Sequence, residues 1–188
     1  MKRILFFVAG CAIIAACNNK AADTTTAKAD SSSAATSEPK PTPPAEFADQ
    51  KYAAIGQKMN DQFASGNLDE WAGNFADNAV YRFSSGDSLA GKDAILKYWK
   101  DRRANVIDSI SFFNNVRLPI KVNKSQVEKV DTPGNWLLTW YLVNVKYKNG
   151  KRIILAVHVD SHFDNSDKID QVIHYMDTAP IKAAMATK

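Results

Sequence analysis

Residues 158–162 read His-Val-Asp-Ser-His, so two of the chain's three histidines flank an aspartate at alternate positions. On a strand, residues two apart share a face. His158, Asp160 and His162 would then project together, at about 6.6 Å per two residues. A His-x-His pair on one face can bind zinc, and a histidine beside a carboxylate can move protons. The whole triplet spreads its histidines over about 13 Å, too far for both to reach one ion at about 2 Å each. A third ligand would have to come from a neighbouring strand, and His174 is the remaining histidine.

The outcome therefore rests on strand register, because a slip of one residue moves every side chain to the other face. The clearest β signal runs from Asn135 to Phe163 and is broken by Asn149-Gly150. A two-residue type I′ turn there pairs Lys148 with Lys151. That ladder sets Trp140 opposite Val159, Leu142 opposite Val157 and Leu138 opposite Ser161. A face holding Trp136, Leu138, Trp140 and Leu142 is the more apolar one, and it is expected to pack on helices.

The next turn leaves two alternatives. A four-residue loop, Asp164 to Asp167, sets Val159 opposite Val172 and turns His174 toward the tryptophan side. A loop one residue shorter sets His174 opposite His158 and assembles a cluster of His158, Asp160 and His174. The apolar-face argument favours the longer loop, with His158, Asp160 and His162 outside and no metal bound. His174 is then the titratable group among aromatic residues, with Tyr81 as its polar companion. Burial would hold it neutral. The carboxylate at matching parity on the late strands is Asp170, near the strand's open end.

Upstream, Tyr52, Ile55, Met59 and Phe63 recur at helical spacing, and Gly66 is a suitable stop. Asn67 with Glu70 three residues on reads as a capping box for a second helix, striped by Leu68, Trp71 and Phe75. Residues 79–83 read as a short strand, 84–91 as a loop, and 92–105 as a third helix with Ile95 and Trp99 one turn apart. Residues 107–115 and 116–124 suggest two strands, the second weakened by Pro119. Residues 168–177 form the last. Helix, helix, strand, helix and then strands specify an α+β fold, with helices on one face of a curved antiparallel sheet.

The chain opens with Lys2 and Arg3, then an uncharged apolar run from Ile4 to Ala16. That run is too short for a spanning helix, which needs about 20 residues, and has the form of a signal-peptide core. It ends Ile14-Ala15-Ala16-Cys17, which resembles a bacterial lipobox. The expectation is a lipoprotein signal peptide over 1–17, lipidated at Cys17. Both cysteines, Cys11 and Cys17, lie in this leader, so the rest of the chain carries neither a disulfide nor a thiol nucleophile. Residues 18–46 contain no Val, Ile, Leu, Met or aromatic residue and read as a disordered Ala/Thr/Ser/Pro tether. Residues 47–188 read as one domain. The formal charge of +4 is mild, its basic residues are scattered, and no nucleic-acid partner is expected.

The element order resembles the nuclear-transport-factor-2-like superfamily, with its SnoaL-like and ketosteroid-isomerase-like members. The resemblance lies in residues 64–83 (ASGNLDEWAGNFADNAVYRF), 91–99 (GKDAILKYW) and 163–177 (FDNSDKIDQVIHYMD). It implies a cone, in which the curved sheet and three helices from the N-terminal half enclose an apolar pocket, and frequent dimers through the outer sheet face. Where ketosteroid isomerases carry their catalytic tyrosine and two aspartates, the matching positions here are Met59, Phe83 and Val159. That chemistry needs a base and donors for an enolate, so the resemblance implies no isomerase activity.

The expected function is that of a lipid-anchored protein of the bacterial envelope. It would be a non-catalytic binding or accessory module for a small hydrophobic ligand. The walls would be Phe75, Tyr81, Phe83, Trp99 and Trp140, with His174 as the polar contact and no cofactor. One alternative is a cyclase-, isomerase- or hydrolase-like enzyme using His174 as acid/base. Another is a structural homodimer without a ligand.

Overall fold

The computed structural model describes residues 41–127 and 132–186. The leader, Cys17 and the tether up to residue 40 lie outside the described residues. The chain enters its sheet at β1 (Ala45–Phe47), two residues ahead of the boundary read from composition, and pairs there with Ile120 to Val122. α1 (Lys51–Ser65) buries Tyr52, Met59 and Phe63, and Gly66 ends it at φ +85°, a left-handed conformation open to glycine at little cost.

α2 (Leu68–Ala72) is a single turn that buries Leu68 and Trp71. The expected capping box does not form at Asn67. Glu70 is engaged elsewhere, as acceptor from Gln62 Nε2 at 3.3 Å. The helix ends early, and Phe75 opens β2 (Phe75–Phe83) instead of extending a helical stripe. The segment expected as a loop carries β3 (Ser88–Ala90), a hairpin partner of β2. α3 (Lys92–Asn105) has the expected bounds.

β4 (Ile107–Val122) is one 16-residue strand where two were expected. The break read from sequence is a bulge between Phe113 and Val116, with Asn114 at φ +53°, a conformation asparagine tolerates. β5 (Gly134–Tyr147), β6 (Arg152–Phe163) and β7 (Ile169–Met176) follow, and α4 (Ala179–Met185), which the sequence did not suggest, closes the chain. The strand order is β1-β4-β5-β6-β7-β2-β3. All neighbours are antiparallel except β2 and β7, which run parallel. The architecture is the expected α+β cone, a curved sheet with helices against its concave face.

Two turns decide which side chains reach that face. At the β5–β6 hairpin, Tyr147 N–H donates to Lys151 O at 2.8 Å and Gly150 N–H to Tyr147 O at 2.9 Å, with Gly150 at φ +85°. The loop is therefore three residues, a turn closed by a left-handed glycine, rather than the two-residue type I′ turn. The register moves by one: Thr139 faces Val159, and Trp140 faces His158. Trp140 is on the outer face at 40% exposure, not among the pocket walls.

The β6–β7 loop is the shorter alternative, with Asp164 N–H on Lys168 O at 2.8 Å and Asp167 at φ +58°. Lys51 Nζ and Tyr52 Oη hold the Asp167 carboxylate at 2.7 and 2.8 Å. Taken alone, that loop would set His174 against His158. A bulge between His162 and Phe163 shifts the ladder one residue further, so Val159 pairs with His174 instead of the expected Val172, and the face parity is restored. His174 therefore reaches the concave face by a different route from the expected one. The bulged Asp170 turns to the outer face, where it meets His162.

Candidate functional site

The concave face and the helices enclose a cavity of about 500 Å³. Its floor is the odd-numbered face of β5 and β6: Leu137, Thr139, Tyr141, Val143, Val157, Val159 and Ser161. β2 contributes Phe75, Tyr81 and Phe83, α3 contributes Tyr98 and Trp99, α1 contributes Met59, Asn60 and Phe63, and β7 contributes Val172, His174 and Met176. The exposed Ser84, Ser85, Asp87, Ser88 and Lys182 also line it and mark where it meets solvent. α1 lies close over the floor because Gly56 has no side chain; a Cβ there would stand 2.5 Å from Leu137 Cδ2.

The walls are largely aromatic. Phe63, Trp71 and Trp99 meet edge to face at 5.1–6.5 Å, and Tyr98 packs edge-on against Trp99 at 5.1 Å. Such edge-on contacts are the favoured geometry of rings that carry a negative face and a positive rim. Tyr81 sits in their midst, 4.9 Å from the Phe83 ring and 6.2 Å from that of Trp99.

Tyr81 Oη lies 2.8 Å from His174 Nδ1. Both residues are buried, at 6% and 7% exposure. Burial pushes the Tyr81 hydroxyl well above its ordinary pKa and pulls His174 down to about 4, so both are neutral near pH 7. His174 Nε2 and Trp99 Nε1 have no hydrogen-bond partner among the described residues. The carboxylate that lines the cavity is Asp87, exposed at its rim and bonded to Ser85 Oγ at 2.9 Å. Deeper in, the lining offers a largely apolar surface, hydroxyls from Thr139 and Ser161, and the Tyr81–His174 pair.

Of the expected wall residues, Phe75, Tyr81, Phe83, Trp99 and His174 line the cavity, and Trp140 does not. Sequence reasoning missed Thr139 and Tyr141, through the one-residue error at the hairpin, whereas Ser161 was already expected on the cavity face and lies there. Met59, Phe83 and Val159 all line the cavity as apolar side chains.

His158, Asp160 and His162 are on the outer face. His158 Nε2 is 2.8 Å from Asp160 Oδ1, and its ring is sandwiched between Trp140 at 4.5 Å and Tyr175 at 5.6 Å. Among the described residues no three His, Cys, Asp or Glu side chains converge as a metal site. His162 is more than a surface residue, being only 6% exposed. Its Nδ1 meets Asp170 Oδ1 at 2.6 Å, its Nε2 donates to Pro133 O at 3.2 Å, and its ring packs on Trp136 at 4.9 Å. The sequence sets His162 on the outer face, and there it ties the start of β5 to the bulge in β7. His162→Ala is expected to cost about 2–3 kcal/mol, the worth of a charge-assisted hydrogen bond plus lost packing. Urea unfolding checks this, and a loss below about 0.5 kcal/mol would contradict it.

No family model matches the chain, and no curated protein matches it in sequence. Solved structures do match in fold. A protein from Xanthomonas campestris pv. campestris, provisionally named a polyketide cyclase, superposes at TM-score 0.59 and 14% identity over 73% of this chain and 98% of its own. A Bacillus subtilis protein, provisionally named an isomerase, gives TM-score 0.56 and 15% identity over 72% and 92%. An NTF2-like protein of unknown function from Burkholderia pseudomallei gives TM-score 0.56 and 13% identity over 72% and 97%. At these identities the likeness is one of fold.

Proposed function

We propose that this domain, a cone of the kind found in NTF2-like and SnoaL-like proteins, binds a small hydrophobic molecule without transforming it. The observation that carries the reading is a cavity of about 500 Å³ walled by aromatics, with its carboxylate confined to the rim. That volume falls in the range of ligand pockets, roughly 300–1,000 Å³, and so does the pattern of apolar walls with few polar groups. Acid–base chemistry needs a group poised near the working pH. His174, at about 4, is a weak base, and Tyr81 a weak acid. The apolar side chains at Met59, Phe83 and Val159 further support binding over turnover.

The enzyme reading keeps one observation in its favour, the short Tyr81–His174 contact of 2.8 Å. A single experiment separates the readings. The full chain is incubated with a lipophilic cell extract, re-isolated, and analysed by mass spectrometry alongside the depleted extract. Binding predicts one unaltered apolar compound retained per chain. Consumption of a compound with appearance of a mass-shifted product would establish the enzyme instead. Retention of nothing would favour a purely structural role.

The apolar run from Ile4 to Ala16 before Cys17 supports a lipid anchor, and the tether read over residues 18–46 supports a spacer holding the domain off a bacterial envelope membrane. Cys17→Ser is expected to release the protein from membrane fractions, and undiminished membrane retention would contradict the anchor. A homodimer through the outer sheet face is supported by Phe113, Val116, Trp140, Ile154 and Tyr175, which all project from that face at 36–61% exposure.

A further inference from the structure

The cavity is long and thin, and its two ends differ. On β6 its lining runs from Leu155 to Phe163, about 26 Å at the rise of a strand. On β5 it runs from Leu137 to Tyr147. A volume of about 500 Å³ spread over that length leaves a mean section of about 20 Å², close to that of one extended hydrocarbon chain. The end at Leu137, Phe163 and Ile169 is sealed, each of these being only 1–2% exposed.

The other end carries charge. Lys182 lines it from α4, and Asn149 Nδ2 in the β5–β6 turn donates to Ala184 O at 2.9 Å, which fixes α4 across that end. Arg102 lines it from the last turn of α3, with its guanidinium 5.6 Å from the centre of the Tyr98 ring. Val106 N–H donates to Arg102 O and Lys148 N–H to Val106 O, both at 2.9 Å, so this turn lies beside the same hairpin. Neither cation belongs to an ion pair among the described residues. With Asp87 as the carboxylate of the rim, the entrance is net positive.

We infer that the ligand is a single unbranched acyl chain with an anionic head, seated tail first against Leu137 and Phe163, with its head at the Arg102 and Lys182 rim. This deepens the binding reading above and rests on it. The hydrocarbon core of a bilayer, about 30 Å thick, is two acyl chains deep, so one such chain fits the length of the channel. Each methylene buried along the apolar wall adds to affinity and needs no polar partner. The charged head stays at the solvent-facing rim, where it escapes the cost of burial. A compact multi-ring body of equal volume is too wide for the channel.

The full chain, loaded with the fluorescent dye N-phenyl-1-naphthylamine, is titrated with octanoate, decanoate, dodecanoate and tetradecanoate below their micellar concentrations. Displacement is expected to tighten about tenfold at each step, the worth of two buried methylenes. Progesterone, a compact four-ring ketone, should displace little dye. Val159→Phe narrows the channel midway along β6, so its loss of affinity should grow with chain length, and thermal unfolding verifies that it folds. Lys182→Glu, at an exposed position, should weaken dodecanoate about fivefold more than dodecanol, the scale of one exposed ion pair. Lys58→Glu, exposed on α1 away from the cavity, should change neither. Myristoyl-lysophosphatidylglycerol shares the chain and an anionic head. Tighter displacement by it than by tetradecanoate identifies a membrane lipid as the source, and the reverse order a free acid.

Affinity that ignores chain length, or progesterone displacing the dye as well as tetradecanoate does, would overturn the acyl channel while leaving the binding reading intact. Equal weakening of dodecanoate and dodecanol by Lys182→Glu would overturn the anionic head. Failure of the dye itself to bind would overturn the binding reading and this inference with it.

Discussion

Lowering the pH from 7 to 4 is expected to cost the folded domain about 3 kcal/mol through His174 alone. Burial, without a compensating anion, holds the folded pKa at about 4, against an ordinary value of 6.5. Above pH 6.5 the imidazole is neutral in both states and contributes no pH dependence. Between 6.5 and about 4 the unfolded chain takes up a proton that the fold refuses, and stability falls with each step of acidification. About 2.5 pH units at 1.36 kcal/mol each set the scale, reduced slightly because the folded residue is half-protonated at the end point. Urea midpoints at pH 7 and pH 4 would be compared between the native chain and His174→Gln. The variant is expected to start lower, through loss of the Tyr81 contact, yet to lose about 3 kcal/mol less on acidification. Identical losses would mean that His174 is solvated or already paired with an anion.

Phe63→Ala is expected to cost about 3–5 kcal/mol, the range for deleting a buried phenylalanine. Phe63 is 6% exposed and is the ring on which three elements meet. It stands 5.3 Å from Trp71 of α2, 5.1 Å from Trp99 of α3 and 6.1 Å from Phe112 of β4. Losing it removes three edge-on contacts together with the apolar burial, and the rigid rings around it collapse poorly into the space. It also lines the cavity, so the loss would merge with existing space instead of closing. Denaturant unfolding measures the cost. A value below 1 kcal/mol would show that the helices do not depend on this aromatic junction.

Most of the fold was legible in the sequence because periodicity and order are local signals. α3 was read to the residue, and α1 was marked by Tyr52, Met59, Phe63 and Gly66. The limits lay in features that only pairing decides. Asn149-Gly150 announces a turn but suits both a two-residue loop and a three-residue loop ending in a left-handed glycine. The difference is one residue, and it exchanged Trp140 for Thr139 and Tyr141 at the cavity.

A signal against the error was present. The even face of β5 ends in Asn144 and Lys146, whereas the odd face runs Leu137, Thr139, Tyr141, Val143, Val145 and Tyr147 without a charge. Two large tryptophans outweighed the end of the strand. At β6–β7 the reverse happened. The expected loop was one residue too long, and a bulge beside Asp170 cancelled the mistake, so His174 reached the pocket face. Bulges leave little trace in sequence, because an unpaired residue is defined by the strand opposite it. The short β3 strand, the parallel β2–β7 pairing and α4 were missed for a related reason: each depends on distant partners more than on its own residues.

The most direct test of the central claim is titration of the full chain with N-phenyl-1-naphthylamine, a neutral apolar dye that brightens in dry sites. Val159 lines the cavity, and Trp140 stands on the opposite side of the sheet. One saturable site is expected in the native chain, weakened in Val159→Phe, which narrows the cavity, and retained at full affinity in Trp140→Ala. Full binding by Val159→Phe, or loss of binding in Trp140→Ala, would place the apolar site on the outer face and contradict the account.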